Sequence, residues 1–98
     1  MSVSVRKAVQ HLNQVFLGIN GIKAGDEVGY GEDSIFLGDC AEGGTINMKP
    51  ACDYYACESD PHEKIWQMGV HIDLVHELKE LGYFAECIDP GTYVAYQM

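Results

Sequence analysis

The stretch HEKIWQMGVHIDLVHELKEL, residues 62–81, decides how the rest of this chain is read. It contains no proline and holds the only tryptophan, Trp66, near its start. Asp60-Pro61 stands just ahead of it. An Asp at the N-cap accepts an orphan backbone N–H, and a Pro at the first helical position has no N–H to lose. Glu63, three residues after Asp60, makes an acidic version of the capping box. Gly82 follows Leu81 as a left-handed C-cap, and Lys79 in the last turn suits the negative end of the helix dipole. The spacing therefore predicts one helix from His62 to Leu81.

At about 100° per residue, this helix carries two apolar stripes. Ile65, Met68, Ile72 and Val75 form one. Trp66, Val70, Leu74, Leu78 and Leu81 form the other. Asp73, His76, Glu77 and Glu80 mark a wet edge between them. A surface helix usually shows a single stripe. Two stripes imply two partners: the sheet, and either another helix of this chain or a second subunit. The expected interface residues are Ile65, Trp66, Met68, Val70, Ile72, Leu74, Val75 and Leu78.

Outward from this helix, the other elements follow from local pattern. Residues 3–17 read as an amphipathic helix. Val5, Ala8, Val9, Leu12, Val15 and Phe16 lie on one face, and Ser2 or Ser4 is the cap. Short strands are expected at Glu27–Tyr30, Ser34–Gly38 and Thr45–Lys49, within a glycine-rich, acidic region where register is weakly specified. Residues 51–59, ACDYYACES, read as a short strand or an irregular lead-in. Tyr83–Ile88 and Thr92–Gln97 are strands rich in aromatic and β-branched residues. Asp89-Pro90-Gly91 suits a type II turn, whose twist mismatches a tight hairpin, so a slightly longer loop is expected. The order α-β-β-β-α-β-β points to a single α+β domain over residues 1–98, a mostly antiparallel sheet with two helices packed on one face.

The net charge of −9 is uneven. Residues 1–23 carry three bases and no acid, residues 24–63 carry ten acids against Lys49, and residues 64–98 carry five acids against Lys64 and Lys79. This balance argues against direct binding of nucleic acid or an anionic membrane, and is compatible with a basic protein partner. No apolar run reaches the ~18 residues of a membrane span. The polar start MSVSVRKAVQ lacks the features of a secretory signal, so the expected compartment is the cytoplasm.

Candidate chemistry is sparse. His71 and His76, five apart, would stand ~140° apart on a helix and share no face. Asp73, His76 and Glu77 are explained by a solvated helix face. Cys52, Cys57 and His62 have loose zinc spacing but lack a second pair of ligands. Cys40, in GDCAEGG, sits between Asp39 and Glu42, whose charge disfavours a thiolate. Reduced cysteines packed as small hydrophobes account for all four. No catalytic residue, metal site or cofactor is expected, and an enzyme is the less favoured class. Tyr54, Tyr55, Trp66, Tyr83, Tyr93 and Tyr96 would form a ligand site if they lined one cleft, with a small organic ligand, cationic given the nearby acids, as its occupant. The leading expectation is a non-enzymatic interaction module that forms a homodimer through the central helix. The alternatives are that small-molecule binder and an acidic inhibitor or decoy of a basic protein surface.

Overall fold

The computed structural model describes residues 3–98 and shows an α+β domain. Helix α1 spans Val5–Val15, and the Ser4 hydroxyl accepts from the Lys7 N–H at its start, 3.4 Å away. Ser2, the other candidate cap, lies outside the described residues. The apolar stripe of α1 buries Ala8 and Leu12 and continues through Phe16 and Ile19. Strand β1 (Ile22–Ala24), a 3-10 turn (Gly25–Val28) and strand β2 (Ser34–Leu37) follow.

Two small hairpins and a single-turn helix fill the middle of the chain: β3 (Thr45–Ile46) with β4 (Lys49–Pro50), α2 (Ala56–Ser59), and β5 (Trp66–Gln67) with β6 (Val70–His71). Helix α3 (Ile72–Leu81), β7 (Tyr83–Asp89) and β8 (Thr92–Gln97) complete it.

The main sheet has the order β1-β2-β8-β7, antiparallel throughout. Register and alternation put Ile22, Ile35, Leu37, Tyr83, Tyr93 and Ala95 on one face. These six join Leu12, Phe16, Leu74, Leu78 and Leu81 of the helical layer in one buried cluster. Both longer helices therefore cover the same face, as the sequence implied. They touch where the His11 ring Nε2 meets Glu77 Oε2 at 2.7 Å. The β7–β8 connection is tighter than expected. Asp89 pairs with Thr92 across Pro90-Gly91, and a register shift between Cys87 and Asp89 absorbs the mismatch in twist.

The deciding stretch departs from its reading. Only its second half is helical. Asp60 does not cap a helix; its carboxylate accepts from the N–H groups of Lys64 at 3.2 Å, Ile65 at 2.7 Å and Trp66 at 3.0 Å, which holds an irregular loop. Glu63 has a φ of 51°, outside helical space. Met68-Gly69, with φ values of 53° and 82°, then forms a two-residue hairpin loop in the mirror-image turn that strand twist favours.

The 51–53 segment fixes this hairpin in place. His71 N–H donates to Ala51 O at 2.8 Å, Asp53 N–H donates to Gly69 O at 2.7 Å, and Cys52 bridges to Val70. These tertiary bonds override the helical pattern. The real N-cap of α3 is His71, whose Nδ1 accepts from Asp73 N–H at 3.1 Å. The predicted end is right: Gly82 is left-handed, with a φ of 88°.

Three strand readings also change. Glu27–Tyr30 is not a strand; the 3-10 turn covers its first two residues. Thr45–Lys49 is part of a hairpin whose loop, Asn47-Met48, has both residues at positive φ. Residues 51–59 contain a single β-bridge at Cys52 and the short helix α2. The first and last described residues meet at one place. Val3 N–H donates to Leu81 O at 2.9 Å, and Met98 N–H donates to Gly82 O at 2.9 Å. The Tyr83 hydroxyl donates to Val3 O and accepts from the Gln97 amide beside them.

Candidate interaction surface

Among the described residues, neither α1 nor α3 covers the second face of the main sheet, and only its Ser34 corner lies under the 3-10 turn. Alternation places Lys23 of β1, Phe36 of β2, Val94 and Tyr96 of β8, and Phe84 and Glu86 of β7 on that side. Strand propensity explains the aromatic and β-branched residues, but burial does not. Phe84 is 41% exposed. Tyr30 lies parallel to Phe36, with ring centroids 6.2 Å apart, and Phe84 leans on Tyr96 at the same distance. The Lys23 ammonium stands 6.0 Å from the Phe36 ring centroid.

Val94, at the centre, is fully buried by these neighbours. Ser34, on the same side, is covered by the 3-10 turn and donates to Gly31 O at 2.7 Å. The result is an aromatic ridge on three strands around a valine, with one cation and one carboxylate at its sides. The sequence held this signal: in β2, β7 and β8 both alternating sets include apolar or aromatic residues, where a half-buried strand would turn a polar set outward.

The expected interface residues lie elsewhere. Trp66, Val70, Leu74 and Leu78 are buried in the chain's own fold, and Ile65, Ile72 and Val75 are half-buried. Met68 alone is open, at the tip of the β5–β6 hairpin. Two stripes existed on paper because half of the pattern belongs to a hairpin.

The six aromatic candidates do not share a cleft. Tyr54 and Tyr55 meet edge to face at 5.1 Å and rim a cleft of about 320 Å³ floored by Cys40 and Cys52. Tyr54, Trp66 and Tyr93 border a neighbouring one of about 290 Å³ with Asp53, Asp60 and Glu63. Tyr83 belongs to the core and Tyr96 to the open face. The acids of the second cleft are turned onto backbone. Asp60 holds three N–H groups, Asp53 accepts from Tyr55 N–H at 2.9 Å, and Glu63 accepts from Met68 N–H at 3.3 Å. The Asp60 carboxyl lies below the usual carboxylate range, chiefly through the Trp66 and Ile65 N–H groups.

Only two of the four cysteines pack as the sequence implied: Cys57 and Cys87 are exposed, while Cys40 and Cys52 are buried and not activated. Cys52 N–H donates to Cys40 O at 2.9 Å, and both residues are buried. A hydrogen bond with the Cys40 thiol, and then burial, push the Cys52 thiol far up, so it keeps its proton. Burial likewise raises the Tyr93 phenol. No histidine lines the cleft over Cys40 and Cys52. Among the described residues, no group of three or more His, Cys, Asp and Glu side chains is placed to hold a metal ion.

Asp73, His76, Glu77 and Glu80 of α3 border a shallow depression with Leu17, where Asp73 accepts from the Asn47 amide at 3.1 Å. No helix among the described residues is long and apolar enough to cross a membrane. Comparison with family models, with curated proteins and with solved structures returns no match.

Proposed function

We propose that this chain is a non-enzymatic interaction module that forms a homodimer, and that it does so through the open face of its main sheet rather than through the central helix. The observation that carries this reading is the set Phe36, Phe84 and Tyr96, half-buried or exposed, around the buried Val94. A one-layer sheet normally turns polar residues to water, whereas contiguous apolar surface on a small domain marks a contact site. Four free cysteines fit a reducing compartment, which supports a cytoplasmic site of action.

Sedimentation across a concentration series tests the proposal. The chain should pass from monomer to dimer at micromolar concentration. Phe84→Glu should give a folded monomer, because Phe84 is half-exposed and contributes little to the core. Leu74→Glu, placing a charge at a fully buried position of α3, should unfold the chain. A wild-type chain that stays monomeric at every concentration overturns the reading. So does a Phe84→Glu dimer as tight as the wild type.

A further inference from the structure

We infer that two copies pack face to face about a two-fold axis running along the strands, so that Lys23 of each copy meets Glu86 of the other; this rests on the open sheet face being the dimer interface. One row of opposed residues crosses all four strands: Lys23 on β1, Phe36 on β2, Val94 on β8 and Glu86 on β7. With neighbouring strands about 4.8 Å apart, Lys23 and Glu86 stand at the two ends of a row about 14 Å long. The apolar pair lies between them. Neither charge forms an ion pair within the chain among the described residues; Lys23 rests over the Phe36 ring instead.

Two sheets packed in aligned fashion, about 10 Å apart, can be related by a dyad that runs across the strands or along them. A dyad across the strands leaves the row in its own order. It stacks Lys23 on Lys23, Glu86 on Glu86 and Phe36 on Phe36. A dyad along the strands reverses the row. Lys23 then faces Glu86 at both ends. Only the second arrangement is self-complementary in charge, as a closed two-fold interface requires. An angle of about 30° between aligned sheets moves the row ends by a few Å, within reach of Lys and Glu side chains. The footprint, about 20 Å on a side, gives roughly 800 Å² over the two copies, below the range of stable complexes and within that of weak, transient ones, which fits a dimer that dissociates readily.

Charge reversal, read by sedimentation at fixed ionic strength, tests this register. Lys23→Glu makes both row ends acidic, and Glu86→Lys makes both basic. Each variant alone should dimerise roughly tenfold more weakly than wild type or worse, and a 1:1 mixture should form a heterodimer of about wild-type strength. Net charge pulls the other way for one of them. Glu86→Lys takes the chain from −9 to −7 (one acid lost, one base gained), which by itself eases repulsion between copies.

A Glu86→Lys homodimer as tight as the wild type, or a mixture no tighter than its two components, overturns the register. Provided the wild type still dimerises, the interface reading then survives. A monomeric wild type overturns both. If circular dichroism shows that a reversal has lost the fold, Lys23→Gln and Glu86→Gln give the same comparison: each weakens the homodimer, and the mixture favours the heterodimer, which regains one of the two pairs.

Discussion

Asp60 shows how one side chain can carry the right chemistry to a different structure. Its neighbours Pro61 and Glu63 complete the signature of a helix start, and its carboxylate does accept backbone N–H groups. Those groups belong to residues four to six positions on, so the carboxylate closes a loop in place of a helical turn. Asp60→Asn should lower stability more than Asp53→Asn, since Asp53 holds a single N–H. Asp60 also has a pH signature. Its folded-state pKa is depressed by the Trp66, Ile65 and Lys64 N–H groups and by His62. The stabilisation is therefore fully present above the unfolded carboxyl value of about 3.9 and is lost as pH falls through the lower folded value. Urea midpoints measured between about pH 2 and pH 6 should fall less steeply below about pH 4 for Asp60→Asn than for the wild type.

Among the elements, α1, β2, β7 and β8 were legible because each follows its own period. Strand β1 was not, because its three residues sit between the Asn20-Gly21 turn and Gly25 and offer no alternation to read. The β3–β4 and β5–β6 hairpins were missed for a different reason. Their loops, Asn47-Met48 and Met68-Gly69, put a methionine at positive φ, where local preference gives no signal. The whole block 62–71 has apolar residues at helical spacing, and only its bonds to 51–53 decide otherwise.

Gly69 was the residue to weigh more heavily. Isolated in a helical pattern, it costs about 1 kcal/mol there, but it suits a turn. A Cβ at Gly69 would come within 2.9 Å of the Tyr93 hydroxyl and 3.0 Å of Asp53 O, with φ at 82°. Gly69→Ala should therefore destabilise the fold by about 2 kcal/mol, a fall in Tm of roughly 10 °C. A thermal melt within 2–3 °C of wild type, a shift of about 0.5 kcal/mol or less, would show that the hairpin tip is not fixed in this way. For the candidate site, the sequence displayed the residues of the open face. Which alternate set of a two-sided apolar strand stays uncovered depends on where the helices land, and no residue of the strand carries that information.

At the scale of the whole molecule, charge separates self-association from capture of a basic partner. Two copies at −9 each repel over a range that shrinks from about 14 Å at 0.05 M salt to about 4 Å at 0.5 M. A dimer held mainly by Phe36, Phe84 and Tyr96 should tighten as salt rises across that range. An electrostatic decoy would release its basic target over the same range. Titration of dimer dissociation against salt reads the sign directly, and a dimer that weakens with salt would mean that charge pairs outweigh the apolar face. The bonds of Val3 and Met98 to the consecutive residues Leu81 and Gly82 bear on design as well. A version of the described residues opened at the exposed Met48 tip, with residues 3 and 98 joined by a few flexible residues, keeps the same neighbours in a permuted order.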